Sequence, residues 1–273
     1  MYDVYEELKV GCSTAPVDRD IVAMPETSAS QILVRSCTTR EEWAECVELQ
    51  ARVWGYSEAD IFPWGIFALA VETGGQVLGA FLGDHLIGFS LAFVGLQGNV
   101  AYLHSNMIAV CPECRSKGVG KMLKLAQRAD GISRGCGHME WTFDPLQVHN
   151  AHFNIVQLGA VVRRYLPNLY GVTSSPLHHG IPTDCLLAEW WWESPRVLRI
   201  LSGEAPVIQG DTLRITVPLS TTELDAQARI RDQFERLFQD GWSVAGFERT
   251  DDAGVYILSP WSCVEKEQAA QGS

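Results

Sequence analysis

No stretch of this sequence approaches the roughly 20 consecutive apolar residues that a bilayer demands, so a membrane-spanning helix is excluded. The opening residues, MYDVYEELKVG, carry acids and lack the apolar core of a secretion signal, which makes a cytoplasmic location the expectation. Net positive charge is missing too. With 21 Lys and Arg against 33 Asp and Glu, the chain carries a formal charge of -12, and a phosphate polymer or an anionic membrane needs a basic face. No nucleic acid and no membrane is therefore expected as a partner. Metal-site spacing is thin: Cys111 and Cys114 make a single C-x-x-C, which Cys136 and His138 would have to complete, and the rest of a zinc-ribbon pattern is absent. No metal is expected, and the eight cysteines of a reducing compartment read mostly as buried thiols.

What is present is the composition of an ordered protein, with 47% hydrophobic residues, nine Trp and ten Phe. At 273 residues the chain exceeds one average domain, so it holds one enlarged α/β domain or a core with an appended unit. Residues 1–30 show no sustained period and read as an irregular lead-in ending near Pro25-Glu26-Thr27-Ser28. Regular structure begins with a strand at Ile32 to Arg35, a capping box opened by Thr38, and a helix from Trp43 to Val53. A helical stretch at Ile66 to Val71 and a hairpin around Gly83-Asp84-His85 follow. Strands are expected at Ala101 to Val110 and His138 to Phe143, on either side of a helix from Gly120 to about Ser133. Its stripe Val119, Met122, Leu123, Ala126, Ala129 packs inward while its lysines face out. A helix from Asn150 to Leu158 stops at Gly159, and apolar strands resume at Val161 and at Cys185 to Trp192. Residues 31–195 form the main unit. After a Pro- and Gly-containing linker, residues 208–262 read as a βαββ extension whose helix opens with the capping box Ser220-Thr221-Thr222-Glu223.

Charge is distributed unevenly. Arg115, Lys117, Lys121, Lys124, Arg128 and Arg134 lie within 20 residues that hold one acid, Asp130, so one segment of an acidic protein suits a small polyanion. That segment begins as a strand running into the turn Arg115-Ser116-Lys117-Gly118-Val119-Gly120. Gly118 and Gly120 remove Cβ atoms where a ligand must approach the backbone, and a helix start favours a bound diphosphate. A Walker A loop fails on Arg115 and Met122, where Gly and Ser or Thr are needed. A dinucleotide fingerprint fails on Leu123, its third glycine, although Glu140 stands where its ribose carboxylate would.

These residues resemble the GNAT superfamily of N-acetyltransferases, and within it a group with a C-terminal extension. The resemblance spans about residues 31–192. It is carried by Met107-Ile108-Ala109-Val110 with Arg115 to Leu123, by Trp141-Thr142-Phe143-Asp144-Pro145 as the family's fifth strand, and by Asn150 to Ala160 as its fourth helix. It implies an α/β (α+β) fold: a mixed, mostly antiparallel central sheet with helices on both faces, the fourth and fifth strands splayed, and the C-terminal βαββ unit appended. It implies acetyl-CoA, or another short acyl-CoA, as co-substrate. The main chain of Met107, Ile108 and Val110 would pair with the pantetheine amides, the N–H groups of Arg115, Ser116, Lys117, Gly118, Val119 and Gly120 would hold the pyrophosphate, and Arg115, Lys117 and Lys121 would neutralise it.

Acyl transfer from a thioester to an amine needs a base, an oxyanion donor and an acid for the thiolate. Many relatives place a Tyr acid in the fourth helix, where this chain has Asn154 or Ile155. Tyr165 and Tyr170 are the substitutes, Tyr170 preferred because it follows the helix in a Gly-terminated loop. Strand alternation puts His104 and Asn106 on one face opposite Leu103 and Met107, and sets Glu140, Thr142 and Asp144 against Trp141 and Phe143. If the polar faces meet at the splay, His104 is the base with Glu140 beside it, and Asn106, Thr142 and Asp144 contact the substrate. His149, His152 and His178-His179 reach the same cleft by spacing alone, and Trp190-Trp191-Trp192 would line it or form a half-buried strand. The reading is transfer of an acyl group from coenzyme A to a small-molecule amine, with homodimer formation left open. The alternative is a non-catalytic acyl-CoA sensor on the same fold.

Overall fold

The computed structural model describes residues 32–178, 180–208, 210–219 and 224–268. The lead-in at 1–30, His179 and the capping box at 220–223 lie outside the described residues. The chain runs β1 (Ile32–Ser36), α1 (Arg40–Trp54), α2 (Trp64–Glu72), β2 (Gln76–Leu82), β3 (His85–Gln97), β4 (Val100–Val110), α3 (Val119–Ser133) and β5 (Met139–Phe143). There follow α4 (Val148–Ala151), which widens into a π-helical turn at His152–Gln157, then β6 (Val161–Leu166), β7 (Cys185–Trp190) and α5 (Pro195–Leu201). The C-terminal set is β8 (Leu213–Pro218), α6 (Leu224–Gln239), β9 (Trp242–Arg249), β10 (Ala253–Pro260) and α7 (Trp261–Gln268).

All ten strands join one sheet in the order β1-β2-β3-β4-β5-β7-β6-β9-β10-β8. Each neighbouring pair is antiparallel except β4 and β5, which a crossover through α3 makes parallel. The expected βαββ set is therefore continuous with the main sheet, joined where Val162 on β6 faces Val244 on β9.

Local chemistry explains the boundaries. The capping box at α1 uses Thr39 where Thr38 was expected: Thr39 Oγ1 accepts from Glu42 N–H, and the Glu42 carboxylate accepts from the Thr39 and Thr38 N–H groups. Glu42 stands three residues after Thr39, so the box shifts by one position. The second correction concerns β4. Leu91 pairs with Met107 and Ala92 with Ser105, which leaves Asn106 as the extra residue of a bulge. Simple alternation fails across it, and Met107 takes the face of Phe89 and Leu91, opposite to Leu103 and Ser105.

Two cores flank the middle of the sheet. One gathers Phe67, Phe89, Leu91, Val119 and Leu123 between α1, α2, α3 and strands β1 to β4. The other gathers Met139, Trp141, Ile155, Leu158, Trp190, Phe234 and Tyr256 around β5 to β10. Helices α1 and α2 cover one face at Phe89, and α3 covers the other, where a Cβ on Gly88 would meet Val119 and Leu123. The seam between the cores is β4 beside β5, and there the sheet parts.

Candidate active site

Only two positions pair β4 with β5, Leu103 with Met139 and His104 with Glu140. From Ser105 onward the strands separate, because the bulge at Asn106 turns β4 away while β5 continues alongside β7. A cleft of about 760 Å³ fills the gap. Its β4 wall is Asn106, Met107, Ile108 and Val110, and its β5 wall runs from Trp141 to Asp144. Arg115 stands at one end, Phe153 and Asn154 of the π-helical turn line the cleft beside α3, and Trp54, Tyr56 and Asp60 line it from the segment joining α1 and α2.

The turn before α3 has the form an anion needs. Ser116 and Gly118 both take left-handed backbone, at φ 60° and 81°, and no side chain caps the helix that Gly118 opens. A Cβ built on Gly118 meets nothing within 4 Å, and one on Gly120 meets only Phe153 Cζ at 3.9 Å. Open space thus lies over an uncapped, α3-aligned set of N–H groups, which fits a diphosphate. The basic run divides by role. Arg128 donates to the Trp192 carbonyl and Arg134 pairs with Asp130, so both are structural. Arg115 and Lys117 are exposed and Lys121 is half-buried, and these three surround the turn.

Lys124 corrects the expectation that the lysines of α3 face outward. It is 1% exposed and points between α3 and the parting strands. Its Nζ lies 2.9 Å from Ser105 Oγ and 3.7 Å from the centre of the Trp141 ring, and it lines the cleft. Burial holds its amine well below the usual lysine range. The signal was available as spacing: Lys124, Gln127 and Gly131 recur at helical steps on the buried face beside Leu123, but two of the three are polar and hide the stripe.

The other expected residues separate into those that line the cleft and those that do not. Asn106, Thr142, Asp144 and Tyr170 line it. The Tyr170 hydroxyl lies 2.9 Å from Thr142 Oγ1, and burial raises its pKa, so it stays a protonated phenol at neutral pH. His104 and Glu140 do not line it; they sit at the last paired register, behind the inner end of the gap. Burial lowers the pKa of His104, partly offset by the Glu140 carboxylate. Tyr165 is removed from candidacy. Its hydroxyl donates to Asp184 at 2.7 Å inside the core, and Asp184 is also held by Arg231 of α6. His149 and His178 line the cleft, His152 does not, and the tryptophan run leaves it: Trp190 and Trp192 are buried in the core, and Trp191 stacks on His138. Cys185 lines the cleft with its thiol pushed up to about 12, which keeps it a thiol and a poor nucleophile. Among the described residues no group of three or more His, Cys, Asp or Glu is arranged to hold a metal ion, and no helix is long and apolar enough to cross a membrane.

No pattern in the sequence marks the loop that follows β6. The loop between β6 and β7 crosses the cleft and fastens to the segment joining α1 and α2. Asp60 accepts from the Ser174 N–H at 2.7 Å and from its hydroxyl, Ser174 Oγ accepts from Ser57 N–H, and Ser175 donates to the Trp54 carbonyl. These partners lie more than 100 residues apart in the chain, so no local pattern announces them.

The parted sheet with an open, uncapped turn beside it leaves room for a ligand that carries a diphosphate. Residues 41–153 match the model of the acetyltransferase (GNAT) family, so that part of the chain is identified as a GNAT acetyltransferase domain. Among solved structures, a protein of Acinetobacter baylyi ADP1 proposed to be an acetyltransferase is similar at 15% identity, with 63% of this chain and 97% of that one covered and a TM-score of 0.50. The ribosomal-protein-S18-alanine N-acetyltransferase of Escherichia coli is similar at 15% identity, covering 58% of this chain and 92% of that one with a TM-score of 0.47. NAA60 of Arabidopsis thaliana, solved with acetyl-CoA, is similar at 13% identity, covering 59% and 99% with a TM-score of 0.46. No curated protein matches the sequence at a significant level.

Proposed function

We propose that the protein moves a short acyl group from coenzyme A to the amine of a small, cationic molecule by direct attack. The observation that supports this reading is the fastened loop: the Asp60–Ser174 contact ties the loop between β6 and β7 to the segment joining α1 and α2, and residues of both segments line the cleft and narrow its acceptor side. Coenzyme A supplies the activated acyl group. The main chain of Met107, Ile108 and Val110 holds its pantetheine arm, and the turn from Arg115 to Gly120, with Lys117 and Lys121 beside it, holds its diphosphate.

The acceptor side carries the carboxylates of Asp60 and Asp144 and the rings of Tyr56 and Tyr170, a set that attracts an ammonium group. Deprotonation falls to a group that touches the cleft. Asp144 does and His104 does not, so Asp144 is the proposed proton acceptor, Thr142 and Tyr170 orient the amine, and His104 with Glu140 takes no direct part. Direct attack is favoured over an acyl-cysteine because Cys185 stays protonated.

A screen of small amines and of peptides with acetyl-CoA, read by thiol release, tests the proposal. Small cationic amines should turn over and peptides should not. Turnover of peptides alone overturns the substrate class, and acetyl-CoA binding without any turnover favours the sensor reading.

A further inference from the structure

Lys124 is the basic residue of α3 that is buried, where Lys121 and Arg128 are only half-buried, and among the described residues no carboxylate pairs with it. Its surroundings are Ser105 on β4, Trp141 and Met139 on β5, and Gln127 one turn along α3. Burial is the one cause acting on its amine, and no carboxylate is paired with it. The titratable and charged groups nearest it on other elements are His104 and Glu140, at the neighbouring register of β4 and β5 and on the opposite face of the sheet. Arg115 and Asp144 share its cleft. A buried ammonium without a counter-ion is costly, and a hydroxyl and a ring face offset that cost only in part. The arrangement makes sense when an anion enters with the ligand.

Position says which anion. Val110 lies beside the diphosphate turn, and Ser105 lies five residues back along β4, about 17 Å away at strand rise. The gap between β4 and β5 closes just beyond Ser105, at His104. A pantetheine arm that enters from the turn ends at that inner limit, and its sulfur is the atom at the end. Of the π-helical turn, Phe153 and Asn154 line the cleft, and neither side chain is an acid that could protonate a thiolate.

Resting on the acyltransferase reading above, we propose that Lys124 Nζ is the catalytic group that faces the departing sulfur. As the acceptor nitrogen forms its bond to the carbonyl carbon it gives up a proton to the Asp144 carboxylate, while the carbon–sulfur bond breaks and its electron pair passes to sulfur. The Lys124 ammonium gives one proton to that sulfur, which leaves as the thiol, and the amine regains a proton from solvent. The lowered basicity of the buried amine suits this role, because a weakly basic ammonium is a stronger acid.

The test needs no acceptor. Coenzyme A in its free thiol form is bound to the protein, and ionisation of the thiol is followed by the ultraviolet absorbance of thiolate against pH, with desulfo-coenzyme A as the blank for the protein's own cysteines. The wild type should ionise the bound thiol at least tenfold more readily than coenzyme A in solution. Lys124→Met should restore the solution value while binding coenzyme A within about threefold of wild type, and Lys124→Gln serves in its place if the Met variant fails to fold. Equal titrations in wild type and variant overturn the role of Lys124 and leave the acyltransferase reading standing. Failure of the wild type to bind coenzyme A removes that reading and this proposal with it.

Discussion

Burial acts on His104 and on Asp184 in different ways, and each makes a measurable claim. The fold favours neutral His104, so its folded pKa lies below the ordinary value of about 6.5. Below that pH the unfolded chain takes up a proton that the folded chain refuses, and stability falls as the pH drops. His104→Gln should flatten part of that fall in urea unfolding between neutral and mildly acidic pH; an unchanged slope contradicts the assignment. Asp184, whose side chain is fully buried, holds Tyr165, the Asn168 N–H and Arg231, which is 30% exposed. Asp184→Ala should cost about 3 kcal/mol by stranding those partners, and a loss under about 1 kcal/mol would show the network to be dispensable. At this scale the sequence was partly legible. Thr142 and Asp144, read from strand alternation, and Tyr170, read from loop position, line the cleft, while Asn106 lines it as the extra residue of a bulge that alternation does not foresee. His104 was misplaced because alternation cannot tell where a parallel pair ends, and Lys124 was hidden by its own charge.

Elements set what those residues can reach. The bulge at Asn106 bends β4 from β5 and exposes both strand ends to one cleft, a geometry that a count of apolar residues does not contain. The loop between β6 and β7 is a second such element, and its fastening is a matter of four hydrogen bonds across the fold. The Ser174 contacts hold the Asp60 carboxyl below its ordinary range, so the fastening should persist into mildly acidic solution. Ser174→Ala removes both the hydroxyl donor to Asp60 and the acceptor for Ser57 N–H. Steady-state kinetics should then show KM for the amine rising several-fold while the affinity for acetyl-CoA stays within twofold. A matching loss of acetyl-CoA affinity would place the loop on the cofactor side and contradict this division. Helix and strand positions, by contrast, were legible for α1, α3 and β4, whose periods fixed each to within a few residues, whereas β3 runs on to Gln97, well past the hairpin, and the short helices α5 and α7 carry too few turns for a period to announce them.

For the whole molecule, two cores meet at one seam, and the seam is where the sheet opens. The C-terminal strands extend the second core through β6 and β9, and Tyr256 of β10 donates to the Pro145 carbonyl, just past the end of β5. They thereby brace the β5 wall of the cleft, which the sequence could not disclose because it gives the composition of the βαββ set and not its docking. Everything proposed here needs a diphosphate on the turn before α3. The most direct measurement is calorimetric titration of acetyl-CoA into wild type and Gly120→Trp, a position beside the turn whose Cβ would touch only Phe153 Cζ, at 3.9 Å. One molecule should bind per wild-type chain, and the variant should lose binding with its circular dichroism unchanged. Equal binding by both proteins would contradict the account.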